Sequence, residues 1–129
     1  MDFETKKLGE YPDYVAPDGS QIRLLPDMKV ANMSHCTLDV GETSQAVAHY
    51  KIVEIWYFLS GKGQVWRRQD ARELVVDVQA GVSLTIPADT HFQFRNTGNT
   101  PLQFVIVTIP AWPGPQEARK VKNYWSLDD

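Results

Sequence analysis

The chain has 129 residues, 43% hydrophobic and 22% charged, which is enough for one globular domain with its own core and too few for a second. Its formal charge of -3, with lysines and arginines interleaved among acids, leaves no basic stripe for a phosphate backbone, so nucleic acid is not an expected partner. No apolar run nears the roughly 20 residues of a spanning helix, and the opening MDFETKKLGEYPDY lacks an apolar stretch of the secretory kind, so the expectation is a cytoplasmic protein with no membrane partner.

After an arm of residues 1–20, Pro and Gly punctuate short runs rich in Val, Ile, Thr and aromatics, with no sustained apolar repeat at three and four. The chain reads as all-β. Strands are predicted at 21–24, 31–38, 46–50, 54–60, 63–67, 73–78, 83–86, 91–96 and 102–110. Ser60-Gly61-Lys62-Gly63 and Asn96-Thr97-Gly98-Asn99 supply residues that tolerate positive φ, as antiparallel hairpins require. GVSLTIP alternates apolar and polar positions until Pro87 halts ladder pairing. The single cysteine, Cys36, has no internal partner and reads as a small buried apolar residue. From Ala111 the composition changes to prolines, charges and an aromatic pair, and this tail is expected to wrap the barrel or pack on a partner. Tyr11, Tyr14, Trp112, Tyr124 and Trp125 make the two ends richer in aromatics than exposed tails usually are, which points to a homodimer or to ends folded back over their own barrel.

Two stretches carry a resemblance. Between Gly41 and Gly61, Val47, His49 and Glu54 fall at the spacing of the first motif of the cupin superfamily, G(x)5HxH(x)3-4E(x)6G, with Val47 at the first histidine position. Between Gly81 and Asn96 the chain resembles the second motif, G(x)5PxGxxHxxxN, with Asp89 at the glycine, Phe92 at the histidine and Asn96 at the asparagine. The resemblance spans roughly 31–110. It implies a single-domain cupin double-stranded β-helix, a jelly-roll barrel with an arm at 1–20 and a tail at 111–129.

In such barrels, histidines two apart on a strand share the interior, and with a glutamate from the next strand and a last histidine they bind Fe, Mn, Ni or Zn. Val47 and Phe92 offer no electron pair, so the resemblance is to a degenerate metal site, and no cofactor is favoured. A divalent metal stays open as an alternative, held by His49 and Glu54 with His35, or with His91 or Gln93 turned inward by a register shift near Thr90.

His49 and Glu54 are the expected catalytic pair, because a buried glutamate seldom persists without a partner or a task. Burial raises a carboxyl toward neutrality, and beside an imidazole that suits it to moving protons on a small carbonyl, sugar-like or enol substrate. By alternation Trp56 and Phe58 share the face of Glu54. With Phe92, Phe94 and Trp66 they are expected to line a cavity for a planar, aromatic or sugar-like ligand, although core packing explains each one as well. His35, His91 and Gln93 are further candidate ligand contacts. Counting from Phe92, however, puts His91, Gln93 and Arg95 on the opposite face, and half-buried hydrogen-bonded histidines are the plainer reading of His35 and His91. Arg67, Arg68 and Arg95 read as solvated strand residues, or else as anchors for a carboxylate or phosphate. The leading expectation is an isomerase-, epimerase-, cyclase- or lyase-type enzyme acting on a small organic molecule. A non-catalytic sensor or binding protein is second, and a metal-dependent oxygenase third.

Overall fold

A computed structural model describes residues 2–127. Its strands are β1 (Tyr14–Val15), β2 (Gln21–Asp27), β3 (Asn32–Leu38), β4 (Val47–His49), β5 (Val53–Ser60), β6 (Lys62–Gln69), β7 (Arg72–Gln79), β8 (Ser83–Ile86), β9 (His91–Asn96), β10 (Leu102–Ile109) and β11 (Ala118–Lys120). One sheet runs β1-β2-β3-β10-β5-β8 and the other β11-β4-β9-β6-β7, with antiparallel neighbours throughout. Such a pair of sheets closed over one interior is a jelly roll.

Alternation explains which side chains fill that interior. On β5 every second residue is buried, so Glu54, Trp56 and Phe58 point inward while Val53, Ile55, Tyr57 and Leu59 point out. β10 repeats the pattern with Leu102, Phe104, Ile106 and Thr108 inside. Trp56 and Phe104 lie with ring centroids 4.6 Å apart, Phe58 and Phe104 likewise at 4.6 Å, and Phe94 meets Phe104 edge-on at 5.3 Å. This aromatic stack plugs one end of the barrel and leaves the other end to the polar residues.

The motif positions have a backbone reason. Gly61 has φ 84°, and a Cβ there would stand 2.5 Å from the Pro101 carbonyl oxygen. Asp89, at the second motif's glycine position, also adopts positive φ, 61°. A short polar side chain is the least costly non-glycine choice there.

Two strands fall outside the predicted set. β1 pairs with β2 through the turn at Pro17-Asp18-Gly19-Ser20, and β11 adds to the edge of β4. The tail therefore folds back on its own barrel. Gln93 anchors it, donating to the Trp125 carbonyl oxygen at 2.9 Å and accepting from the Tyr124 and Trp125 amides at 2.9 and 2.8 Å.

Candidate functional site

At the polar end lies a cavity of about 50 Å³. β4 contributes Val47 and His49, β5 Glu54 and Trp56, and β9 Phe92 and Phe94. β3 adds Ser34 and Cys36, and β10 adds Thr108. The roof comes from the chain ends: Tyr14 and Asp18 from the arm, Trp112 from the tail. Trp112 is fixed by its backbone amide, which donates to Asn32 Oδ1 at 2.7 Å.

Glu54 is 6% exposed and held at both oxygens: Trp56 Nε1 donates to Oε1 at 2.9 Å and Thr108 Oγ1 to Oε2 at 3.2 Å. Burial pushes its pKa up to about 7, against the lowering effect of those two donors. At neutral pH this carboxyl is therefore poised between acid and base. Burial likewise raises Asp18, whose Oδ1 accepts from the Ser20 amide and hydroxyl at 2.9 and 2.6 Å. Tyr14 is raised by burial and then by the Glu54 and Asp18 charges, and burial keeps the Cys36 thiol protonated. One wall of the cavity is thus built of weak acids.

His49 faces this space under Phe92 and Trp112, at ring centroid distances of 5.3 and 5.2 Å. Burial lowers its pKa to about 4, the Glu117 carboxylate opposing the shift. The imidazole is neutral at physiological pH, and its buried Nδ1 has no protein partner. Glu117 itself is committed elsewhere, with Oε2 accepting from the Lys51 and Ile52 amides at 2.6 and 2.9 Å. Trp112→Ala is expected to admit water over the ring and raise the His49 pKa toward 6.5, read from an NMR titration of its ring carbons. An unmoved value would show that the indole does not keep the site dry.

The structure revises several sequence expectations. Glu54 and His49 line one cavity, but no hydrogen bond joins them. Glu54 is held by Trp56 and Thr108 while the buried Nδ1 of His49 has no protein partner, and the stronger base of the two is Glu54. Phe58 points inward yet belongs to the plug, outside the cavity. Trp66 is corrected from cavity lining to the outer face: β6 pairs Val65 with Phe94 and Trp66 with Gln93, so Trp66 stacks on Tyr124 at 5.2 Å and donates to Glu73. Gln93 is corrected likewise, from ligand contact to tail anchor. His91 sits outside opposite Arg68, because the β6–β9 register runs without a shift. His35 is on the outer face of β3 beside Arg23, since Asn32, Ser34 and Cys36 take the inward positions. Sequence reading missed Asp18 and Thr108, and it took Tyr14 and Trp112 only as end aromatics covering the barrel or a partner, without placing them at the site. The Pro-Asp-Gly-Ser turn was a usable signal for a hairpin that would bring Tyr14 and Asp18 to the barrel mouth.

The jelly-roll barrel with an acid-lined interior defines the class, and comparison with known proteins defines the family. A cupin domain family matches residues 34–108, so the chain belongs to the cupins. It is 28% identical over 104 residues, 77% of this chain and 80% of the other, to the protein MJ1618 of Methanocaldococcus jannaschii. Among solved structures it resembles BH2720 of Bacillus halodurans, with TM-score 0.66 and 25% identity over 79% of this chain and 76% of that one. Streptomyces PAC13, solved with uridine, matches with TM-score 0.69 and 16% identity over 95% and 92% of the two chains. The oxalate decarboxylase of Bacillus subtilis, described with Mn(II) centres, matches with TM-score 0.71 and 18% identity. That match covers 87% of this chain and 30% of that one.

The metal centre of the superfamily does not fit these residues. Val47 and Phe92 are direct partners across β4 and β9, and they occupy the two positions from which further imidazoles would reach His49 and Glu54. Both oxygens of Glu54 already accept hydrogen bonds. Among the described residues, no group of three or more His, Cys, Asp or Glu side chains is placed to hold a metal ion. His35, His91 and Gln93, the candidates for completing a set, lie outside the cavity.

Proposed function

We propose that the cavity binds a small oxygen-rich organic molecule and that Glu54 moves a proton on it, making the protein an isomerase-, epimerase-, cyclase- or lyase-type enzyme. The observation that carries this reading is one buried carboxyl, turned into a cavity and held by two donors, with a pKa of about 7. Ionised, it takes a proton from a carbon beside a carbonyl, and the C–H electron pair becomes the enolate double bond. In a hydroxy ketone or aldose the hydroxyl proton of that carbon passes to the enolate oxygen and Glu54 returns its proton to the former carbonyl carbon, so the carbonyl moves one carbon along. In an elimination the enolate collapses, the C–O bond on the next carbon breaks and its oxygen leaves with the proton from Glu54 as water. His49, neutral, meets the developing oxygen charge as a hydrogen-bond donor without competing for the proton. The acid wall offers O–H and S–H donors to carbonyl and hydroxyl oxygens, while Trp56, Phe92 and Phe94 flank the carbon skeleton. A cavity of about 50 Å³ favours a ligand of few carbons, sugar-like more than aromatic.

The test is proton exchange. A panel of small 2-oxo acids, hydroxy ketones and short aldoses in D2O is followed by proton NMR for loss of the C–H signal beside the carbonyl. Exchange that depends on the parent and is absent with Glu54→Gln supports the enzyme; saturable binding without exchange makes the chain a binding protein.

A second copy of the chain is proposed as its protein partner. On β8, β5, β10 and β3 the outward positions, among them Ile55, Tyr57, Leu59, Val107 and Met33, include no Asp, Glu, Lys or Arg. Ile55 and Tyr57 are about half exposed, at 49% and 50%. Four strands at ~4.8 Å spacing and ~3.3 Å per residue give a face of roughly 500 Å². With the exposed Phe3 and Leu8 of the arm it approaches the roughly 800 Å² per partner of a stable interface. Light scattering coupled to gel filtration is expected to give twice the chain mass for the parent and the chain mass for Ile55→Glu/Tyr57→Lys. A parent that runs as a monomer at micromolar concentration would remove the dimer.

A further inference from the structure

The two sheets do not close evenly. Where β7, the edge of one, approaches β8, the edge of the other, a groove of about 260 Å³ runs between them. It is separate from the cavity of Glu54 and His49 and shares no lining residue with it. Arg67, Arg68 and Arg72 line it against a single carboxylate, that of Glu73, whose Oε1 accepts from Trp66 Nε1 at 2.7 Å. None of the three guanidiniums is in an ion pair: among the described residues the ion pairs are Lys6–Glu4 and Arg119–Asp89.

Arg67 is the unusual member. It occupies an inward position of β6, directly across from Phe92, where a barrel strand would ordinarily carry an apolar residue. One arm of the guanidinium is fixed, Nη1 donating to the Thr85 carbonyl oxygen at 3.0 Å. Its Nε is buried and has no protein partner. Thr90, 2% exposed and on the same groove, has a buried hydroxyl with no protein partner either. A half-buried cation fixed at one edge and in no ion pair is costly unless an anion visits it, and its own unmatched Nε and the unmatched Thr90 hydroxyl point to the same occupant. Desolvation already acts on the guanidinium, lowering its pKa.

We propose that this seam is a binding site for a small free oxyanion, a carboxylate or phosphate group, received by the Arg67 guanidinium with the Thr90 hydroxyl beside it and Arg72 at the rim. The planar fork of an arginine matches two oxygens of such a group, and the net positive lining draws it in. Arg68 and Arg95 play lesser parts: Arg68 donates to the Asp70 carbonyl oxygen, and Arg95 is engaged by Gln64 and lies over the Trp125 ring, on the outer face.

The experiment is an NMR titration of the full-length 15N-labelled protein, including arginine Nε–H signals, with inorganic phosphate and separately with malonate at constant ionic strength. The expected result is saturable movement of the Arg67 side-chain signal and the Thr85 and Thr90 amides with at least one of the two anions. Arg67→Gln is expected to weaken that affinity at least about tenfold. Thr90→Val is the second variant. It removes a hydroxyl that has no protein partner, so its melting temperature should not fall while the anion affinity does. Phosphate or malonate alone giving the response identifies which oxyanion the seam prefers. Shifts that never saturate, that spread equally over all arginines, or that persist unchanged in both variants overturn the proposal.

Discussion

Glu54→Gln is expected to yield a protein that melts higher than the parent at pH 8 and has lost its turnover. The carboxyl has a folded-state pKa of about 7 against an ordinary value of 4.5, so between those values the folded chain holds a proton that the unfolded chain has released. Stability therefore falls as pH rises through that window, by about 3 kcal/mol once both states are ionised. The amide carries no charge to desolvate. Its oxygen still accepts from Trp56 Nε1, and its NH2 can donate to the Thr108 hydroxyl. At pH 4 the two proteins should melt together, and by pH 8 the variant should lead by ~2–3 kcal/mol, several degrees in a chain of this size. His49 supplies the opposite slope. Its pKa falls from 6.5 to about 4, so its contribution rises with pH across that interval. From pH 4.5 to 6.5 Glu54→Gln, which lacks the opposing carboxyl, should therefore slope upward more steeply than the parent. Activity should drop by roughly 10²–10⁴, the usual worth of a positioned acid–base group. A variant less stable than the parent at pH 8 would mean that the hydrogen bonds to the carboxylate outweigh its burial. The acid–base role would then lose its foundation.

That conflict between stability and placement is legible at the level of single residues. Counting by twos from Glu54 put Trp56 and Phe58 inside, because β5 alternates cleanly between an apolar interior and a surface. The same count from Phe92 placed Phe94 inside and Gln93 outside. β6 defeated it. Its outward row carries Trp66 and its inward row Arg67, so hydrophobicity misassigns both unless the tail that covers Trp66 is known. β3 hid its facing in another way: from Ser34 to Leu38 every residue is buried, which erases the period and left His35 open in either direction. The site's roof was illegible for a third reason. Tyr14, Asp18 and Trp112 arrive from segments far from the motifs in sequence, brought over the mouth by a two-residue strand and a tail pairing that leave no periodic trace. What sequence does encode is the inner wall; what closes over it depends on long-range docking.

Restoring the two motif histidines should convert the acid–base cavity into a metal site. Val47 and Phe92 face each other across β4 and β9, and both line the space reached by His49 and Glu54. Val47→His/Phe92→His would place three imidazoles and a carboxylate around one volume, the donor set that suits Mn, Fe, Co, Ni or Zn. The double change trades a larger ring at 47 for a smaller one at 92, so the packing cost should stay within ~1–3 kcal/mol. After incubation with Co(II) and desalting, metal analysis is expected to find about one equivalent per chain in the variant and far less in the parent, with uptake falling at low pH as the imidazoles protonate. Trp56 Nε1 competes with the metal for the electron density of Glu54, so adding Trp56→Phe should tighten the variant further. A folded variant that takes up no cobalt would contradict the convergence of positions 47 and 92 on His49. A parent that itself retains one equivalent, and loses it on His49→Ala, would show that the imidazole finds further donors in the barrel interior, and proton transfer by Glu54 would no longer be the simplest chemistry for this cavity.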